Sequence, residues 1–246
     1  MKNILILFIA VLFVSGCVSE NALPVPDKSY VPDIQIKELA EKMVNAVDPN
    51  GIYRKSNSYF LKQDIVFGGK VFTFEVTFKN PDKSKTLTYL DGKLIQKTVC
   101  DGNKCWVMDR NNKKTDITGK DLERIKLLDE MSSPKGTILD VFGKVEFAGE
   151  ARIYESPCYI LFCYAKMEDL APIVLYVSKT DYLSRKIMTL KAGKPYVAVI
   201  KKYALFKGIM IASETEIDIN DDGKMELMTL SDYKINIDAP DSEFEQ

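Results

Sequence analysis

The chemistry open to this chain is bounded first by what it lacks: its 246 residues contain no histidine. Without imidazole there is no Ser-His-Asp or Cys-His pair, no histidine metal ligand and no histidine pH switch. Five cysteines remain, at 17, 100, 105, 158 and 163, and their surroundings assign them different work. Cys100 and Cys105 flank the turn Asp101-Gly102-Asn103-Lys104. In a hairpin of that loop length the flanking residues face each other with Cα atoms about 4.5–5.5 Å apart, inside the disulfide window; a free or metal-bound pair is the alternative. Cys158 and Cys163 repeat the spacing. If Cys158 to Tyr164 is one strand, however, their sulfurs lie about 16 Å apart on opposite faces, and a local bridge needs a bulge or loop. A four-cysteine zinc site built from two C-x4-C pairs fits the spacing but meets the same obstacle, so no metal or other cofactor is expected. A nucleophilic cysteine has no histidine to activate it.

Asp218, Asn220, Asp222 and Gly223 match positions 1, 3, 5 and 6 of an EF-hand loop, but Thr229 stands where the closing Glu belongs and the flanks read as strands. A hairpin turn explains the segment more simply. Pairs such as Glu214 and Glu216 fit the solvated side of a strand, and no glycine-rich phosphate loop or serine elbow is present. No catalytic residue is assigned, and the chain is expected not to be an enzyme. A composition of 46% hydrophobic and 28% charged residues argues for a folded protein, and a net charge of −1 gives no basic field for nucleic acid.

The remaining cysteine reads as an address. Lys2 precedes an apolar run, Ile4 to Val14, followed by Ser15, Gly16 and Cys17. Eleven helical residues span about 16 Å, half a bilayer's hydrocarbon core, so the run is a signal-peptide core and not a membrane anchor. The small residues ahead of Cys17 resemble the lipobox of prokaryotic lipoproteins, with Val14 where leucine is commonest. That resemblance implies removal of residues 1–16, a diacylglyceryl group with palmitate-like chains on Cys17, and a protein held on the extracytoplasmic face of the cell membrane, or on an outer membrane if the host has one. An ordinary secretory signal with an accidental cysteine is the plainer alternative. Residues 17–31, with Pro24 and Pro26, read as a tether that carries no periodicity.

The elements beyond the tether follow from hydrophobic period. Ile36, Leu39, Ala40, Met43, Val44 and Val47 recur at helical spacing, stopped by Asp48-Pro49-Asn50-Gly51. Strict alternation from Val71 to Phe78 sets Phe72, Phe74, Val76 and Phe78 on one face of a strand. Hairpin turns at Asp91-Gly92 and Asp101–Lys104 indicate an antiparallel meander. A short helix is expected after Thr118 and a helical turn or two over residues 137–142. Strands dominate from Val145 to Ile237, and no linker or repeat divides the stretch, so a single domain over residues 32–246 is expected.

This order of elements resembles the lipoprotein carrier and lipoprotein-sorting (LolA/LolB-like) superfamily. The likeness rests on the N-terminal helix, the hairpins around Tyr89–Gly92 and Cys105–Met108, the segment Leu175–Lys186, and the ending Tyr233–Ile237 with Pro240, Asp241 and Phe244. It implies an α+β, mainly β fold: a curved antiparallel sheet, or half-open barrel, covered by an N-terminal helix and short inserted helices. It also implies binding of a lipid, acyl chain or lipoprotein between sheet and helices. The family's ligand-contacting basic residue has no counterpart that can be placed here. Phe72, Phe74, Val76 and Phe78 are the candidate cavity wall, with Trp106 and Met108 as rim contacts, although such a stripe also packs ordinary cores. Related sigma-factor regulators use the fold as a sensor, so an interaction module gripping an envelope protein is the second expectation. Because the 218–223 segment reads as a hairpin turn, millimolar calcium is expected to leave the melting temperature unchanged; a rise would reinstate the ion site.

Overall fold

The computed structural model describes residues 23–132, 136–167, 170–191, 194–218 and 224–245. Cys17 and the signal segment lie outside them, as do Asn220, Asp222 and Gly223. In chain order the elements are α1 (Ile36–Val47), β1 (Ser58–Phe67), β2 (Lys70–Lys79), β3 (Lys83–Leu90), β4 (Lys93–Asp101), β5 (Cys105–Asp109), β6 (Lys114–Ile117), α2 (Gly119–Ser132), α3 (Ile138–Val141), β7 (Lys144–Ile153), β8 (Ser156–Tyr164), β9 (Ile173–Ser178), β10 (Ser184–Lys191), β11 (Lys194–Phe206), β12 (Ile209–Ile217), β13 (Glu226–Ile235) and a 3-10 helix, Asp241–Phe244. The fold is mainly β with antiparallel pairing, as the sequence implies. No described helix is long and apolar enough to cross a membrane.

The described residues divide into two compact units, those within 55–132 and 226–245 and those within 23–54 and 136–225. In the second unit the strand order is β12-β11-β10-β9-β8-β7. The apolar face of α1 buries Leu39 and Ala40, and the helix packs against β12, β7 and α3. It stops where the sequence expects. The buried Asp48 carboxylate accepts the backbone N–H groups of Ile52 (2.7 Å) and Arg54 (3.0 Å), and Gly51 takes the left-handed φ of 64° that the turn requires. Residues 158–163 of β8 and 173–178 of β9 are buried without alternation, so both strands are covered on both faces. The single turn of α3 is held by a capping box: Thr137 accepts from the Leu139 N–H, and Asp140 accepts from the Thr137 N–H. Described residues ahead of the expected boundary at Pro32 also make contacts: Leu23 packs on the β7–β9 cluster and the Asp27 N–H donates to the Ala148 carbonyl.

In the first unit the order is β6-β5-β4-β3-β2-β1-β13. Two of these strands carry weak sequence signals. The pattern of β1 is interrupted by the buried Gln63 at a bulge against β13, and β6 is a short edge strand with the charged residues Lys114 and Asp116.

The chain ends on this unit as a clamp. Phe244 is fully buried against Val99, Trp106 and Ala239. The 3-10 helix is pinned by Lys79 and Lys83, 2.7 and 3.0 Å from Asp241, and by the Lys85–Glu243 pair. Removing the Phe244 ring leaves a cavity against the only tryptophan in the chain. Phe244→Ala is therefore expected to destabilise the protein by about 3 kcal/mol in urea unfolding and to shift native Trp106 emission to the red.

Candidate ligand face of the first unit

Register across the first unit decides which side chains share a surface. Phe78 stands opposite Ser84, Ser84 opposite Cys100, and Cys100 opposite Cys105. On the other side of β2, Phe78 pairs with Tyr59, Val76 with Leu61, Phe74 with Gln63 and Phe72 with Ile65. Directly opposed residues point to one face of an antiparallel sheet. That face therefore carries an apolar sector on β1 and β2 and, next to it, a hydroxyl row: Ser84, Thr86 and Thr88 on β3 with Thr98 on β4, all buried. In the apolar sector the Tyr59 and Phe78 rings stack at 5.1 Å between centroids.

The same register separates the expected site residues. Phe72, Phe74, Val76 and Phe78 lie together and buried, as their alternation indicates. Trp106 follows Cys105 and so lies on the opposite face, and Met108, two residues further on, lies with it. Neither is a rim contact for the phenylalanine stripe. Trp106 is 5% exposed, packed by Val99, Ala239 and Phe244, with the ammonium groups of Lys97 and Lys114 at 5.1 and 4.8 Å from its ring centre. Its alternation with Cys105 and Val107 was legible; the hairpin register that assigns the face was not.

Cys100 and Cys105 form the expected disulfide. It carries α2: Ile125, with Leu122 and Ile117 alongside, packs on the two cysteines. One turn along the helix, Asp129 reaches the hydroxyl row, where Ser84 Oγ donates to its Oδ2 at 2.9 Å. Asp129 is 7% exposed, and neither its Oδ1 nor Thr88 Oγ1 has a hydrogen-bond partner. Burial pushes the Asp129 carboxyl up to about 7, with the nearby charge of Asp82 adding to the rise and the Ser84 hydrogen bond opposing it. From the sequence, Asp129 reads as a solvated charge on a polar helix.

In the second unit, Cys158 and Cys163 are free and buried within β8. The local bridge considered for them is not formed: five residues of continuous strand place the thiols on opposite faces. Burial raises both thiols, Cys163 to about 12, which leaves them poor nucleophiles. Among the described residues, no group of three or more His, Cys, Asp or Glu is arranged to hold a metal ion.

No family model and no curated protein matches this sequence. Solved structures do. A DUF1329 family protein from Desulfovibrio piger superposes with a TM-score of 0.60 at 16% identity, over 85% of this chain and 97% of that one. A LolA superfamily protein from Nitrosomonas europaea gives 0.58 at 14% identity, over 87% and 98%. An outer membrane lipoprotein-sorting protein domain from Vibrio parahaemolyticus gives 0.55 at 11% identity, over 84% and 94%. The fold is accordingly the LolA-like one that the sequence resembles.

The position of Asp129 has a consequence for stability. A carboxyl raised on folding contributes fully below its ordinary value near 3.8, and that contribution is lost as pH climbs through about 7. Between pH 6 and 9 the wild type is expected to lose roughly 1–1.5 kcal/mol that Asp129→Asn retains. Urea midpoints of the two proteins measured across that range check this; parallel curves would contradict it.

Proposed function

We propose that this chain is a lipid-anchored cell-envelope protein that binds the acyl part of a lipid or lipoprotein on the β1–β4 face of its first unit, without catalysis. The supporting observation is the composition of that face. An aromatic and aliphatic sector, interrupted by the buried Gln63, adjoins a buried hydroxyl row, and two polar atoms there, Thr88 Oγ1 and Asp129 Oδ1, are left without partners. Hydrocarbon matches the first sector, since each methylene removed from water contributes about 0.8 kcal/mol. A hydroxyl or amine of a headgroup matches the second, because buried polar atoms gain most from a partner they otherwise lack.

On this proposal α2 is the element that yields to ligand. Leu122 and Ile125 against the disulfide give it an apolar hold on the sheet, and the Asp129–Ser84 hydrogen bond gives it a polar one. Anchoring follows from the lipobox at Cys17, which assigns the protein to the outer side of a membrane by two or more acyl chains.

Native mass spectrometry and lipid extraction of the mature protein, purified from its own membranes in mild detergent, test the proposal. The expected result is a co-purifying acyl lipid, displaced stoichiometrically by a long-chain fatty acid. A protein that stays lipid-free and takes up neither added fatty acid nor a hydrophobic probe dye overturns it. Capture of a stoichiometric envelope protein with no lipid would assign the fold to partner recognition instead.

A further inference from the structure

The anchor proposed at Cys17 and Leu23, the first described residue, are six residues apart, and that distance carries an orientation. Six Cα-to-Cα steps reach at most about 22 Å. Whatever surface Leu23 rests on is therefore held within that distance of an anchored Cys17, and Leu23 rests on the β7–β9 cluster of the second unit, beside Ala148, Cys158 and Ile160.

The segment that follows is a fixed strap. The Asp27 N–H donates to the carbonyl of Ala148 at 2.9 Å, which seats the strap on β7. Tyr30 donates its hydroxyl to Glu150 at 2.5 Å and sets its ring 6.3 Å from that of Phe147. Asp33 accepts the Tyr159 hydroxyl at 2.7 Å, and Lys179 bridges Glu150 and Asp33 at 2.5 and 3.5 Å. A strap held at four points along β7 and β8 cannot swing the anchor to another side of the unit. Its outward side chains mix apolar and charged groups: Val25 and Val31 are 89% and 84% exposed, with the exposed Asp27, Lys28 and Ser29 between them and Asp33 beyond. Aliphatic side chains beside a lysine match the boundary between acyl chains and headgroups.

We infer that the strap of residues 23–33 and the β7 strand beneath it form a membrane-contact surface, with Val25 and Val31 seated in the lipid interface. The inference rests on the anchoring proposed for Cys17. The occupant is the bilayer that holds the anchor, and the short leash makes the contact permanent.

The test uses the full acylated protein in vesicles of phosphatidylglycerol and brominated phosphatidylcholine. Val25→Trp adds a reporter at a position where the side chain touches little protein. A companion protein carries the same substitution and twenty Gly/Ser residues inserted after Val18. Intact mass establishes acylation of both, and wild-type Trp106 supplies the background emission. The expected result is bromine quenching of the Val25→Trp signal at least threefold stronger than in the companion. Equal, weak quenching in two acylated proteins overturns the contact surface and leaves the anchor standing. An unmodified Cys17 in the intact mass overturns the anchoring proposal itself, and the inference with it.

Discussion

The two-residue period of the β-strand, carried from β2 to β5 through the pairs Phe78–Ser84, Ser84–Cys100 and Cys100–Cys105, is the constraint on which the site depends. Because Phe78, Ser84, Cys100 and Cys105 stand in one line across β2 to β5, the disulfide, the hydroxyl row and the phenylalanine stripe are obliged to share a face. Every intervening residue is sent to the other side. The disulfide then has two roles. It closes the β4–β5 hairpin, and it presents a compact apolar platform to Ile125, so the position of α2 over Ser84 follows from a covalent link on the neighbouring strands.

The two faces of that sheet are closed in opposite electrostatic styles. The Trp106 face is sealed by an acidic C-terminal turn drawn onto Lys79, Lys83 and Lys85, with Phe244 filling the space beneath. Partly exposed pairs of this kind contribute little each, about 0–1 kcal/mol, so burial of Phe244 dominates and the charges chiefly set where the turn lands. On the other face, α2 packs on the disulfide, places a buried carboxyl beside Ser84 and leaves one of its oxygens unpartnered. A permanent core gains nothing from such a group, since burying it costs free energy that an apolar side chain would not. On the proposed function, the same group gives an amphiphile a polar contact point.

Periodicity exposed much of this architecture. The α1 helix, its stop at Asp48, the β2 alternation, both hairpins of the meander and the Cys100–Cys105 bridge depend on local patterns of a few residues, which a sequence displays directly. The features it concealed depend on pairing between distant strands. The face assignment of Trp106 needed the count of registers through Ser84 and Cys100. The β1 strand was hidden because the bulge at Lys62 and Gln63 breaks its alternation against β13. Asp129 lies on a helix of mixed polarity, where a carboxyl normally meets water, and only the docking of α2 buries it. The strap was hidden because Tyr30 and Asp33 find their partners at Glu150 and Tyr159, more than 100 residues away.

On the proposed function, ligand lies on the Phe72 face and not on the Trp106 face. Photo-crosslinking with a fatty acid bearing a diazirine on its chain, followed by peptide mapping, reads this directly. Adducts on Phe72, Phe74, Val76 or Thr88, with Trp106 and Met108 unlabelled, are the predicted result. Labelling centred on Trp106, Met108 or the C-terminal turn, with the β2 stripe untouched, would contradict it.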